Sequence, residues 1–202
     1  MVCKIMKIIG LTGKSGSGKS SVCSILSEHG GYIIDSDKIA HKNMRKGSVA
    51  YNAIKDAFGD EILFDSGEID RKKLGKKVFS DPEKLKILNE ISLKHILEKI
   101  SEEIDDISKK TDIYKFIVID APLLIETGLN YISDEVWVIL ADENILLDRI
   151  IKRDKIDFEY AKNRLKNQRP QKELTAFADV VIENGDISQS ELKKRVLKHL
   201  PK

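Results

Sequence analysis

The chain has 202 residues, 41% of them hydrophobic and 34% charged, a composition that folds into one α/β core or at most two small lobes. Its 35 Lys and Arg against 33 Asp and Glu leave a net charge of +2, which excludes the basic excess of a dedicated nucleic-acid binder. The longest apolar run, Val136–Ala141, is far short of a membrane span, no signal-like stretch opens the chain, and two cysteines, Cys3 and Cys23, make no disulfide framework. The expectation is a cytoplasmic monomer with neither nucleic acid nor membrane as partner.

In chain order, residues 1–5 read as dispensable, and Met6 directly precedes a first β-like run, Lys7–Thr12. A helix over Ser20–Glu28 follows, with apolar Val22, Ile25 and Leu26 at helical spacing. The second β-like run is Tyr32–Asp35, with a helix starting near Lys38. Residues of about 60–110 form a long insertion before the third run. Inside it, Ser80-Asp81-Pro82-Glu83 marks a helix start, and Leu93, Ile96, Leu97, Ile100, Ile104 and Ile107 make one apolar face. The remaining runs are Lys115–Asp120, Glu135–Leu140 and Asp179–Glu183, and a last helix spans Ser188–Leu200. Phe116–Ile119 and Val136–Leu140 are apolar throughout rather than alternating, the pattern of parallel strands covered by helices on both faces. No repeat or linker divides residues 1–202, which read as a single domain. The insertion of about 60–110 and an Arg-rich stretch of about 148–177 are expected at the carboxyl edge of the sheet, where doubly wound folds bind ligands. The Arg-rich stretch, poor in large apolar residues, is also expected to be mobile until nucleotide binds.

Gly13-Lys14-Ser15-Gly16-Ser17-Gly18-Lys19-Ser20, with Ser21 behind it, fits G-x-x-x-x-G-K-[ST] between a strand and a helix. Glycines let the backbone wrap phosphate oxygens with successive N–H groups, and the helix adds its positive end. Lys19 is placed to reach the β/γ-phosphates of ATP, and the Ser20 hydroxyl to ligate Mg²⁺. Such a loop fits a small-molecule kinase, a GTPase or an ATPase module. No N-K-x-D string supports the GTPase, and Asp56-Ala57-Phe58-Gly59, although it matches D-x-x-G, follows no strand. The kinase reading survives, since an acceptor pocket and a lid would use the two additions to the core.

Asp35 and Asp37 lie where the second strand ends, and either can deprotonate an acceptor hydroxyl or cap the next helix. Asp120 ends the third strand, as a second Mg²⁺-shell acid or as an ordinary turn residue. Arg149, Arg153, Arg164 and Arg169 either close on ATP phosphates or pair with Asp148, Asp154 and Asp157 on a solvated helix.

Gly10-Leu11-Thr12-Gly13 running into the loop, Ile34-Asp35-Ser36-Asp37, Gly67–Leu74 with Asp70-Arg71, Asp120–Glu126, Arg149 to Asp154, Gln168 and Ala178–Gly185 together resemble the dephospho-coenzyme A kinase family over nearly the whole chain. The resemblance implies ATP-dependent phosphorylation of the ribose 3′-hydroxyl of dephospho-coenzyme A; the alternative is a nucleoside or nucleotide monophosphate kinase of the same fold. It also implies a P-loop kinase with a five-stranded parallel sheet, a helical acceptor domain and a lid over about 148–177. By the same resemblance, Asp37 is the general base, Arg71 and Pro122, Leu123, Leu124 and Glu126 border the acceptor, and Arg149 contacts ATP phosphate. The chain departs from the family at Lys14, where a second glycine is common, and at Leu93-Lys94, where a His-Pro pair is common.

Overall fold

The computed structural model describes residues 6–201, the side chain of Phe79 apart; residues 1–5, read as dispensable, lie outside the described residues. The parallel sheet comprises β1 (Lys7–Thr12), β2 (Gly31–Asp35), β3 (Phe116–Asp120), β4 (Glu135–Leu140) and β5 (Val180–Glu183) in the order β2-β3-β1-β4-β5. Leu11 of β1 stands opposite Asp120 of β3 on one side and Trp137 of β4 on the other. The chain thus leaves β1 at the point where strand order reverses, the place where doubly wound sheets leave a crevice at their carboxyl edge.

Alternate strand residues Ile9, Leu11, Phe116, Val118, Trp137 and Ile139 share one face of the sheet. α1 (Lys19–Glu28) and α9 (Gln189–Leu197) cover it with Val22, Leu26, Leu192 and Val196. Ile117 and Ile119, on the other face, are equally buried, which is why these strands lack polar alternation. Trp137, the only tryptophan in the chain, is fully buried, and its Nε1 donates to Glu135 Oε2 at 3.0 Å.

Two compact units form: one runs to Ile34 and resumes at Asp106, the other is Asp35–Asp105. The second unit holds α2 (Ser36–Asn43), α3 (Val49–Phe58), α4 (Arg71–Phe79) and most of α5 (Pro82–Ser108). It begins earlier than the insertion of about 60–110 expected from the sequence. The reason is packing: Tyr51, Ile54 and Phe58 of α3 share one core with Ile62, Leu74 and Val78. α5 starts as expected, with the Asp81 carboxylate accepting from Glu83 N–H at 3.1 Å and Lys84 N–H at 3.2 Å. It runs 27 residues, passing through Leu93-Lys94, where no proline removes a backbone donor.

The Arg-rich stretch forms α6 (Glu143–Asp154), α7 (Phe158–Lys166) and α8 (Gln171–Thr175). α6 and α7 interlock through Leu146, Leu147, Ile150, Ala161 and Leu165. This part of the chain therefore has an apolar seam that its high charge conceals in the sequence.

Candidate active site

The phosphate loop connects β1 to α1, and Gly18 occupies the N-cap of α1 in the left-handed region, at φ +93°. A β-carbon at Gly18 would come within 2.1 Å of Asn184 Nδ2, so both backbone conformation and space demand glycine there. Five carbonyls of the loop have a donor. Lys19 Nζ donates to Gly13 O at 2.8 Å, Ser17 N–H to Lys14 O at 3.1 Å, and Arg149 to Gly16 O at 3.3 Å. Asn184 Nδ2 donates to Ser17 O at 2.7 Å, and Ser21 N–H to Gly18 O at 3.0 Å. Ser17 Oγ is buried with no partner among the described residues. The exposed Ser20 sits in the first turn of α1, a hard oxygen donor open to a cation.

Arg149 was expected on ATP phosphate. In the chain itself its guanidinium donates to three backbone carbonyls, those of Gly16 at 3.3 Å, Asn184 at 2.9 Å and Gly185 at 2.7 Å. Lys14 reaches across to α7, where its Nζ donates to Leu165 O at 3.1 Å. Gln168 clasps Ser15 twice, accepting from its N–H at 2.9 Å and donating to its Oγ at 2.8 Å. The Arg-rich stretch is thus fastened directly to the phosphate loop. Its other arginines are paired. Asp154 binds Arg153 and Arg164, and the hydrogen bond from Arg153 is the main cause that brings its carboxyl down to about 2. Arg169 Nε meets Glu126 Oε1 at 2.7 Å.

The Pro122–Glu126 segment is a turn after β3. Leu124, expected on the acceptor side, is a core residue: it is fully buried, and a β-carbon on Gly10 would lie 2.8 Å from its Cδ2. Leu123 is exposed, and Pro122 offers its carbonyl to Thr12 Oγ1 at 3.3 Å.

In the second unit, the two acids at the end of β2 differ. The Asp35 carboxylate caps α2, accepting from Lys38 N–H at 2.9 Å and pairing with Lys38 Nζ at 3.0 Å. That cap starts the helix at Ser36, two residues before the expected Lys38. Asp37 is exposed in the first turn, and its carboxylate is engaged by no other described residue. Asp70 caps α4 through the N–H groups of Lys72 and Lys73 at 2.9 and 3.1 Å, which sets Arg71 at the first helical position. Arg71 NH2 lies 3.0 Å from His41 Nδ1, at the edge of a cavity of about 140 Å³ lined by Ala40, Met44, Ile54 and Ile96 among others.

The sequence reading found the loop and both acids. It passed over Asn184 and Gln168 as working residues, although both stand in segments that carry the resemblance. Nothing local marks either one, since their partners lie 167 and 153 residues away in the chain.

The model of the dephospho-CoA kinase family matches residues 7–189. A dephospho-CoA kinase of Fusobacterium nucleatum is 43% identical over 187 residues, covering 93% of this chain and 94% of that protein. One from Carboxydothermus hydrogenoformans is 40% identical over 186 residues, covering 92% and 89%. Among solved structures, a Thermus thermophilus protein aligns with a TM-score of 0.82 at 29% identity, covering 96% of both chains. Dephospho-CoA kinase from Campylobacter jejuni gives 0.69 at 32% identity, covering 95% of this chain and 94% of that one. A shikimate kinase from Bacteroides thetaiotaomicron, at 11% identity and a TM-score of 0.51, shares the fold.

Proposed function

Since the chain belongs to the dephospho-CoA kinase family, we propose that it transfers the γ-phosphoryl group of ATP to the ribose 3′-hydroxyl of dephospho-coenzyme A, giving coenzyme A and ADP. The observation that carries this is the family match over residues 7–189, which takes in the phosphate loop, Asp37, Arg71 and Asn184.

The loop residues Gly13 to Ser21 hold the triphosphate by backbone N–H groups, and Lys19 places its charge on the β/γ-phosphates. Asp37 takes the proton of the 3′-hydroxyl as that oxygen bonds to the γ-phosphorus and the bond to the β-phosphate oxygen breaks. Two features support Asp37 over Asp35: its carboxylate is engaged by no other described residue, while that of Asp35 is committed to the cap. Arg71, exposed at the start of α4, binds an anionic part of the acceptor, and Pro122, Leu123 and Glu126 border it. The Ser20 hydroxyl would hold Mg²⁺, which would supply charge neutralisation on the triphosphate. A monomer acting in the cytoplasm is part of the same proposal, on the strength of the two-cysteine, near-neutral composition.

ADP release with ATP and Mg²⁺, measured against dephospho-coenzyme A, adenosine and nucleoside monophosphates, tests the reading. Fast turnover is expected with dephospho-coenzyme A alone. Equal or faster turnover with a nucleoside monophosphate would move the protein to the nucleotide kinases.

A further inference from the structure

We infer that Asn184 is a positioning residue for the triphosphate, acting through the peptide that joins Ser17 to Gly18. A peptide unit is planar and trans, so its C=O and N–H point in opposite directions. Asn184 Nδ2 holds the Ser17 carbonyl outward at 2.7 Å, which turns the Gly18 N–H inward to the concave side of the loop, where phosphate oxygens bind.

Asn184 is itself rigidly held. Its backbone N–H donates to Leu140 O at 2.7 Å, continuing the β4–β5 ladder by one residue. Its own carbonyl accepts from Arg149 at 2.9 Å, and Arg149 also reaches Gly16 O and Gly185 O. The side chain is 6% exposed, so water does not compete for the Ser17 carbonyl. The amide nitrogen occupies the space where a β-carbon on Gly18 would stand. One residue beyond the edge strand therefore sets the direction of a donor on the far side of β4, and the glycine of the loop and the asparagine fit only as a pair. Neither group needs to move when nucleotide arrives, so the donor is oriented in advance.

The inference rests on the phosphate loop binding ATP, and direct measurement keeps the two apart. Calorimetry of ATP·Mg²⁺ binding to the wild-type protein tests the loop. The same titration on Asn184→Leu, which keeps volume and removes the donor, tests Asn184. The expected result is a rise in Kd and KM for ATP of about 10- to 100-fold, the range for one hydrogen bond to a charged group. KM for dephospho-coenzyme A stays near wild type, a split that general loosening of the fold would not produce. A folded Asn184→Leu protein whose ATP Kd rises less than about 10-fold overturns the assignment, since that is the least such a bond predicts; a rise of about 10-fold or more sustains it. If Asn184→Leu does not fold, Asn184→Asp, equal in shape but unable to donate when ionised, is read by the same criterion. Failure of both to fold would make Asn184 a packing residue and would equally overturn the inference. Wild-type protein that does not bind ATP would instead refute the kinase reading.

Discussion

Asp35 and Asp37 show how two like residues, two positions apart, divide the labour at a strand end. The capping carboxylate satisfies an orphan N–H of α2, and its removal by Asp35→Ala is expected to cost about 0.5–2 kcal/mol of stability, read from the thermal midpoint. Asp35→Asn retains a good cap and is expected to keep most of the activity. Asp37→Asn keeps shape but cannot take a proton, and general-base action is worth about 10²- to 10⁴-fold, so kcat should fall on that scale with ATP affinity nearly unchanged. Steady-state kinetics on both variants checks this; a larger kcat loss in Asp35→Asn than in Asp37→Asn would reverse the assignment. From the sequence, both acids were visible and neither could be preferred by spacing. The observation that distinguishes them, which carboxylate accepts the Lys38 N–H, exists only once the helix has formed. Arg149 was legible as a candidate phosphate contact, but its partners in the chain are backbone carbonyls, which have no signature in a sequence.

The charged stretch of about 148–177 was expected to be a lid, mobile without ATP and ordered when ATP binds. The seam of Ile150, Ala161 and Leu165 packs α6 on α7, and hydrogen bonds from Lys14 and to Gln168 tie this stretch to the loop. Charge density hid this because apolar positions recur only about once per turn on a short helix, leaving most residues polar. Asp154 fastens the end of α6 to Arg164 of α7. Its folded value of about 2 lies below the ordinary carboxylate range near 3.9, so the fastening is fully present above about pH 4 and is lost as pH falls through about 2. An NMR titration of the Asp154 carboxyl should show that low midpoint. Asp154→Asn should speed amide exchange in α7 at neutral pH and remove its acid dependence below pH 4. Strands were the more legible elements: β1 and β4 end where their apolar runs end, and β3 and β5 begin one residue later than those runs.

The whole molecule was legible as a parallel α/β kinase because double-sided burial removes polar residues from the central strands. The extent of the second unit was not, since the apolar face of α3 does not itself say which of two cores it joins. ATP binds groups of the first unit only, under the proposed reading. At about 100 times Kd, a ligand stabilises its binding state by about 2.7 kcal/mol. Hydrogen exchange with and without ATP should therefore show greater protection in residues 6–34 and 106–201 than in Asp35–Asp105; equal protection throughout would mean that the two units open as one. Trp137 offers an optical counterpart. It is the single indole of the chain and stands fully buried on β4, between β1 and β5, while Tyr51 is the sole tyrosine of Asp35–Asp105. Excitation near 295 nm, which selects indole over phenol, therefore follows the nucleotide-binding unit alone, and the protein carries an intrinsic fluorophore that reports the melting of its sheet without any label.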